Sequence, residues 1–425
     1  MIIRPCVVTM ALGLAMAAAP LAPGDATSTG AASAPATEEA APADATLGDA
    51  MRRFGWRLVP SLAADDDTAN ILMSPWGLAT VITVIDLGAQ GGTQGSGALT
   101  EAWTGRPGAT DAVLAEIGAI RHNMTADPAA GAVFHDANGI WVAEPKAVSE
   151  PVATTAGETL GVRVERVDFA DPAVVARLNA WAAERTEGAI PVLLARPDPN
   201  LEAVIANGLH VAGPWLQPFD AADTRSGVFA AEGKPDLPVD YMHGVFPDLT
   251  VVTAPAFEAV SLPLAGGDMR LRLRLPRPGH ALAEVMAPAD EASTARPAVV
   301  ALTLPRFTIS ANVDLTGALR AAGLGMLFDG SGDFSGLADG LTHFDRVSQR
   351  LRLRVDESGL EAAAVTVALS TRGMTPDPEI DLVFDRPFLV EVVHAPTGAV
   401  LICGIVRAPA TPEDPARDET NTGAD

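Results

Sequence analysis

Very little in this 425-residue sequence can crosslink the chain, carry it through a bilayer or hold a polyanion. Cysteine occurs twice, at Cys6 and Cys403. Cys6 precedes the apolar run from Val7 to Ala19. Arg4 before that run, and the small residues Ala15-Met16-Ala17 and Ala17-Ala18-Ala19 at its end, give residues 1–19 the layout of a secretory signal peptide. A lipoprotein cysteine would follow the run, so no lipid anchor is expected. Processing leaves one thiol, which excludes an intramolecular disulfide and assigns Cys403, in an apolar stretch, to core packing. The leader run is too short to span a bilayer and no later uncharged run reaches about eighteen residues. The mature chain is therefore expected in the extracellular or periplasmic space, with no membrane partner. Lysine is also scarce, at Lys146 and Lys234 only, and Lys+Arg total 29 against Asp+Glu 53, a formal net charge of -24. Nucleic acid and heparin-like partners need a basic face, so neither is expected. Aromatic residues make up 5 %, yet hydrophobic residues reach 48 %, ample for a sizeable core.

Enzyme chemistry is missing too. No G-x-S-x-G, H-E-x-x-H, Walker loop or dinucleotide fingerprint occurs. His122, His135, His210, His243, His280, His343 and His394 are scattered without ligand-like spacing, so no metal and no cofactor is expected. A triad from distant positions is recognised only in space. The chain is read as a non-enzyme.

Residues 20–46 are rich in Ala, Pro, Thr, Gly and Ser and read as a disordered linker; 410–425 read as an acidic disordered tail. No linker composition interrupts 47–409, which points to one large domain. Its early part carries helix patterns. Met51, Phe54, Leu58 and Leu62 share a face, Pro75 opens the apolar run Leu78 to Leu87, 95–130 is mixed helix, and Asp171-Pro172 caps a helix through Glu184. Another short helix spans Leu315 to Ala322, with Gly323 in the C-cap position. Strand patterns dominate later: Asn138 to Val142, Val162 to Phe169, Leu201 to Val211, Met269 to Leu275, Val299 to Ile309, Leu351 to Val355, and a buried hairpin of Phe388 to Val393 with Val400 to Val406. The class is α+β with antiparallel-rich sheets.

One stretch carries conflicting signals. Ser358 followed by Glu361 is a capping box that Ala362, Ala363 and Ala364 would extend into a helix. From Ala364, however, Val365, Val367 and Leu369 alternate with Thr366, Ala368 and Ser370, a strand with one small-residue face. A segment that fits both conformations is a candidate switch.

Several motifs in chain order then resemble the serpin family. Asn70-Ile71-Leu72-Met73-Ser74-Pro75 with Leu87-Gly88-Ala89 and Thr93 is similar to its first shared helix. Asn179, Trp181, Thr186, Gly188 and Ile190 match its N-x-W…T-x-G-x-I segment, and Asn207, Gly213-Pro214-Trp215 and Pro218-Phe219 match its N…G-x-W-x-x-P-F run. Leu304-Pro305-Arg306-Phe307 resembles L-P-K-F. Asp356-Glu357-Ser358-Gly359 with Glu361 to Ala364 resembles the hinge of the reactive loop, and Arg386-Pro387-Phe388-Leu389 with Gly404 the closing strands.

The resemblance implies three sheets, about nine helices and an exposed reactive loop. It also implies a monomeric inhibitor that a serine protease cleaves and that traps the acyl-enzyme by inserting the loop into the large sheet, an example of strand addition. Glu357, Gly359, Leu360, Glu361, Ala362, Ala363, Ala364 and Thr366 would form the hinge. Ser74, Asn207 and Gln349 would hold the sheet shut, and Trp215 with an Arg306–Glu357 pair would mark the point of first insertion. The chain departs from the pattern at Gly77 and Gln349, where the family has Ser and His, and at Leu360, where it has Thr or Ser. Overpacking by Leu360 is expected to add about 1–3 kcal/mol to insertion, so that Leu360→Thr should raise the yield of trapped protease. The reactive bond lies at Arg372, Gly373 or Met374. Arg372, ranked first, implies a trypsin-like target, and Met374 an elastase- or chymotrypsin-like one. The alternative is a non-inhibitory binding protein of the same fold whose loop is cleaved as a substrate.

Overall fold

A computed structural model describes residues 46–409 except 65, 67, 91–96, 126–130, 187, 189, 190, 193, 287–292 and 362–376. Residues 1–45, the tail from 410, Thr93, Ile190, and the expected site residues Ala362, Ala363, Ala364, Thr366, Arg372, Gly373 and Met374 lie outside the described residues, while Thr46, expected in the linker, caps the first helix. The described part falls within one compact unit.

Eight α-helices are present among the described residues: α1 (Leu47–Leu62), α2 (Pro75–Leu87), α3 (Ala98–Thr104), α4 (Thr110–Thr125), α5 (Glu150–Thr155), α6 (Pro172–Arg185), α7 (Leu282–Met286) and α8 (Thr316–Leu319). Helix α1 starts at a capping box between Thr46 and Asp49 and buries Met51, Phe54 and Leu58. Helix α2 is apolar on nearly every face and is accordingly buried from Pro75 through Asp86. Asp171 caps α6 through the Ala173 amide. The helix expected to run to Ala322 stops at Leu319 and continues as a π-turn, and Gly323 takes up φ 86°. A left-handed residue ends a right-handed helix.

The strands are β1 (Ile71–Met73), β2 (Val133–Ala143), β3 (Val162–Val167), β4 (Ala203–Pro214), β5 (Arg225–Phe229), β6 (Leu237–Thr253), β7 (Phe257–Pro263), β8 (Met269–Pro276), β9 (Thr294–Pro305), β10 (Phe307–Asp314), β11 (Arg346–Val355), β12 (Gly359–Leu360), β13 (Ile380–Val383), β14 (Phe388–His394) and β15 (Ala399–Val406). They make three sheets, two of which share one continuous ladder. The first sheet has the order β10-β11-β12-β4-β2-β3, with β11 also pairing β4 directly. The other ladder, β1-β15-β14-β8-β7-β6-β9-β13 with β5 beside β6, is divided by the long strands β6 and β9. Their pairing shifts register between Phe246 and Leu249. Beyond that break one half runs on through β7, and before it the other half runs with β5 and β13.

The expected single strand Val299 to Ile309 is two strands that meet at Arg306. Pro305 ends β9 against Tyr241, and Phe307 begins β10 against Val355 in the first sheet. A proline cannot extend a ladder on its N–H side, so the chain changes sheets there. Arginines 270, 272 and 274 and arginines 350, 352 and 354 alternate with buried leucines and valine as expected. Cys403 is buried, and burial raises its thiol pKa well above the ordinary value, as suits a packing residue.

Candidate functional site: a closed strand gap and its latch

The first sheet contains one parallel contact that joins distant parts of the chain. Strands β4 and β11 run side by side from Val204↔Arg346 to Leu209↔Leu351, six register pairs. Above Leu351 they diverge, and β12 occupies the space between them. Leu360 pairs with Val355 on one side and Gly213 on the other, and Gly359 pairs with Pro214, antiparallel to both neighbours.

The root of this wedge is a tight turn. The Asp356 carboxylate accepts the Ser358 amide (2.9 Å), the Ser358 hydroxyl (2.5 Å) and the Gly359 amide (3.3 Å), and pairs with Arg354 (3.1 Å). These local bonds make Ser358 a turn residue, so the capping box with Glu361 starts no helix. Only glycine fits at 359, because an added Cβ would lie 2.0 Å from the Gly213 carbonyl oxygen. Leu360 is fully buried in the main core. The expectation that it would have to be forced into the sheet assumed an exposed side chain, whereas it is already inside. At Glu361 the chain leaves the sheet with φ 47°, an unfavourable conformation for a residue with a Cβ. The Glu361 amide still donates to Arg354 O (3.1 Å), and its carboxylate lies 3.5 Å from Arg352.

The segment after β4 clasps the same turn. Trp215 donates its amide to Ser358 O (2.9 Å) and its indole N–H to Asp356 O (2.8 Å), and the Phe219 amide donates to Glu357 O (3.0 Å). Thr224 donates to Glu357 (2.6 Å), and Arg306 Nε lies 3.4 Å from the same carboxylate. The Arg306–Glu357 contact is ionic only: Arg306 Nε has no aligned hydrogen-bond acceptor.

Beneath the parallel pair runs a buried polar row. The Ser74 amide donates to Gln349 Oε1 (2.9 Å), and Gln349 Nε2 donates to Ser74 O (2.8 Å) and Asn207 Oδ1 (3.4 Å). Asn207 Nδ2 donates to Asn138 Oδ1 (3.1 Å) and Asn138 Nδ2 to Asp136 Oδ2 (3.2 Å), where Arg121 closes the row at 3.3 Å. Backbone register explains it, since Asn138, Asn207 and Gln349 are direct neighbours across β2, β4 and β11. Ser74 enters as the N-cap of α2, its hydroxyl accepting the Gly77 amide at 2.9 Å. The link that spans β4 and β11 is long, at 3.4 Å. Breaking that side-chain link alone costs little hydrogen-bond energy, because both amides keep their other partners, whereas parting the strands would also break the backbone ladder between them. Gly77 lets α2 approach: a Cβ there would meet Asn207 at 3.3 Å.

The sequence brought Ser74, Asn207, Trp215, Arg306 and Gln349 forward, and the structure places Ser74, Asn207 and Gln349 in the row and Trp215 and Arg306 at the clasp. It adds Asn138, Asp136 and Arg121 to the row and Asp356 and Thr224 to the latch. Asp136 and Asn138, two apart on one face of an otherwise apolar strand, were the available signal for the row.

The sheet thus closes two parallel strands over a polar row and holds a loop root antiparallel between them. The sequence model of the family described as Serpin (serine protease inhibitor) matches residues 49–409, and the chain belongs to that family. Rat glia-derived nexin is 28 % identical over 361 residues, covering 80 % of this chain and 88 % of the relative. Pig leukocyte elastase inhibitor is 26 % identical over 385 residues, covering 85 % and 99 %. In fold, the crystal structure of Serpin48 from the insect Tenebrio molitor superposes with a TM-score of 0.72 at 23 % identity, over 85 % of this chain and 98 % of that one. Serpins are in general inhibitors of proteases and not catalysts.

Proposed function

We propose that this protein is a secreted inhibitor of a serine protease and acts as a suicide substrate. The reading rests on β12: two hinge residues already lie antiparallel between β11 and β4. Continuing that register, each further residue would face one partner on each side. Ala362 would fall between Leu353 and Val211, Ala364 between Leu351 and Leu209, Thr366 between Gln349 and Asn207, Ala368 between Val347 and Ile205. These partners are buried core or row positions, so the inward residues must be small, and in the sequence they are. Thr366 would arrive at the Gln349–Asn207 link and offer its hydroxyl where the two amides separate.

The protease serine attacks the carbonyl carbon of Arg372, the Arg372–Gly373 amide breaks, and the new amine of Gly373 leaves with a proton. The ester to Arg372 remains. Freed from its C-terminal anchor, the loop exchanges one parallel ladder of six register pairs for two antiparallel ones. About ten new ladder bonds at roughly 1 kcal/mol each favour the exchange. The uncleaved state persists because cleavage has not yet released the strand.

Incubation with trypsin and, separately, elastase tests this on a denaturing gel. A covalent complex is expected with trypsin, together with a released peptide beginning at Gly373; a peptide beginning at Met374 or Thr375 would move the reactive bond to Gly373 or Met374. A cleaved chain beside fully active protease would sink the inhibitory reading. If that cleaved form also gained no thermal stability, the chain would be a non-inhibitory binding protein.

A further inference from the structure

The side-chain links between β4 and β11, the two strands that must part, are uneven along their length. Across the parallel pair they are long: Gln349 reaches Asn207 at 3.4 Å and the Ser348 hydroxyl reaches Ile205 O at 3.5 Å. At the foot, one residue before the Val204↔Arg346 pair, they are short and several. The Asp345 carboxylate accepts the Glu202 amide (2.6 Å) and the Ala203 amide (3.0 Å), and the Asp345 amide donates to Ala203 O (2.8 Å). Glu202 lies 3.3 Å from His343 Nδ1 and 2.9 Å from Lys146, whose ammonium also donates to Gly340 O (3.1 Å). Glu202, Ala203 and Lys146 stand on the β4 side of the gap, and Gly340, His343 and Asp345 on the β11 side.

Hydrogen bonds to a carboxylate are stronger than neutral ones, so the foot is fastened better than the strands above it. Continuing the register of β12 downward brings the tenth residue after Leu360 between Asp345 and Ala203. Two strand spacings would then separate that pair, about 9.5 Å, which an aspartate side chain does not bridge.

We propose that Asp345 is a positioning residue for loop insertion. It bolts the foot of the gap, so the sheet opens from β12 downward and the last step of insertion waits for the Glu202 and Ala203 amides to be released. This inference rests on the insertion reading above. Trapping is a race between completed insertion and hydrolysis of the ester, so the strength of the bolt sets the share of protease that escapes.

Asp345→Ala and Asp345→Asn, each compared with the parent in the full chain, test this with trypsin or elastase, whichever is trapped. Alanine removes both acceptors, and loss of a hydrogen bond of ordinary net strength corresponds to about a fivefold change in rate. The complex-to-cleaved ratio should therefore rise about fivefold in Asp345→Ala. In Asp345→Asn, whose side-chain oxygen still accepts an amide, it should stay within about twofold of the parent. Uncleaved Asp345→Ala should melt below the uncleaved parent, whereas the two cleaved forms should melt together, because insertion has already broken the bolt. A residue that only supports the fold would lower both. An unchanged ratio in Asp345→Ala, an equal loss of Tm in cleaved and uncleaved forms, or Asp345→Asn matching Asp345→Ala overturns the proposal and leaves insertion standing. A parent that forms no complex and gains no thermal stability on cleavage refutes insertion itself, and the bolt with it.

Discussion

Replacing Leu360 separates two accounts of the hinge. On sequence grounds the side chain obstructs insertion; in the structure it is a fully buried anchor between Val355 and Gly213. Burying a leucine side chain is worth about 1.5–3 kcal/mol, and Leu360→Thr adds a hydroxyl with no designed partner, at about 1 kcal/mol or more. The native state should lose roughly 2–4 kcal/mol. With an unfolding entropy of about 2.1 cal/mol/K per residue over roughly 360 residues, this lowers Tm by about 3–5 °C. The variant escapes part of that penalty by withdrawing the hinge, so proteolysis at the loop root should quicken as Tm falls. The yield of covalent complex per cleavage should not rise, because position 360 has no distance left to travel. Differential scanning fluorimetry, timed proteolysis and the complex-to-cleaved ratio on a gel report the three quantities. An unchanged Tm would show that Leu360 is no anchor. A higher complex yield would restore it as an obstruction.

Glu361, at φ 47°, must become extended if the hinge enters further. Glu361→Gly relieves about 1 kcal/mol of strain in the uninserted state alone, so Tm should rise slightly and insertion slow about fivefold; an unchanged complex-to-cleaved ratio would contradict this. Burial by itself would raise the Glu391 carboxyl, but Arg274, Arg52 and Arg272 and the Trp56 indole hold it at about 2. The folded pKa lies below the unfolded one, so this stabilisation, roughly 3 kcal/mol, is present above pH 4.5 and is lost as pH falls from 4.5 towards 2. Glu391→Gln should therefore be less stable than the parent at neutral pH, with a gap in urea midpoint that narrows below pH 4.5. A gap constant from pH 7 to pH 3 would refute that account.

Much of this protein is written locally. The alternation of Arg and Leu in β8 and β11, the caps at Ser74 and Asp171, and the turn between β14 and β15 depend on neighbours a few residues away, so periodicity and cap chemistry reveal them. The family motifs likewise brought Asn207, Trp215, Arg306 and Gln349 forward one at a time. Their grouping follows from register: Asn138, Asn207 and Gln349 become a row only because β2, β4 and β11 align them. Ser358 shows the opposite case, a local helix signal overruled because the Asp356 carboxylate and the Trp215 segment hold it in a turn.

The character of Leu360 and of the β8 arginines was decided only by tertiary packing. A leucine after glycine reads as an obstruction until β4 and β11 are seen to part around it. Arginines alternating with leucines read as one side of a half-buried strand, and what that side meets, Arg52 from α1 and Glu391 from β14, appears only in the fold. Sequence by itself determined which side chains each strand offers to its two faces, because that depends on a period of two. What meets each face depends on elements far apart in the chain, and only the folded structure settles it.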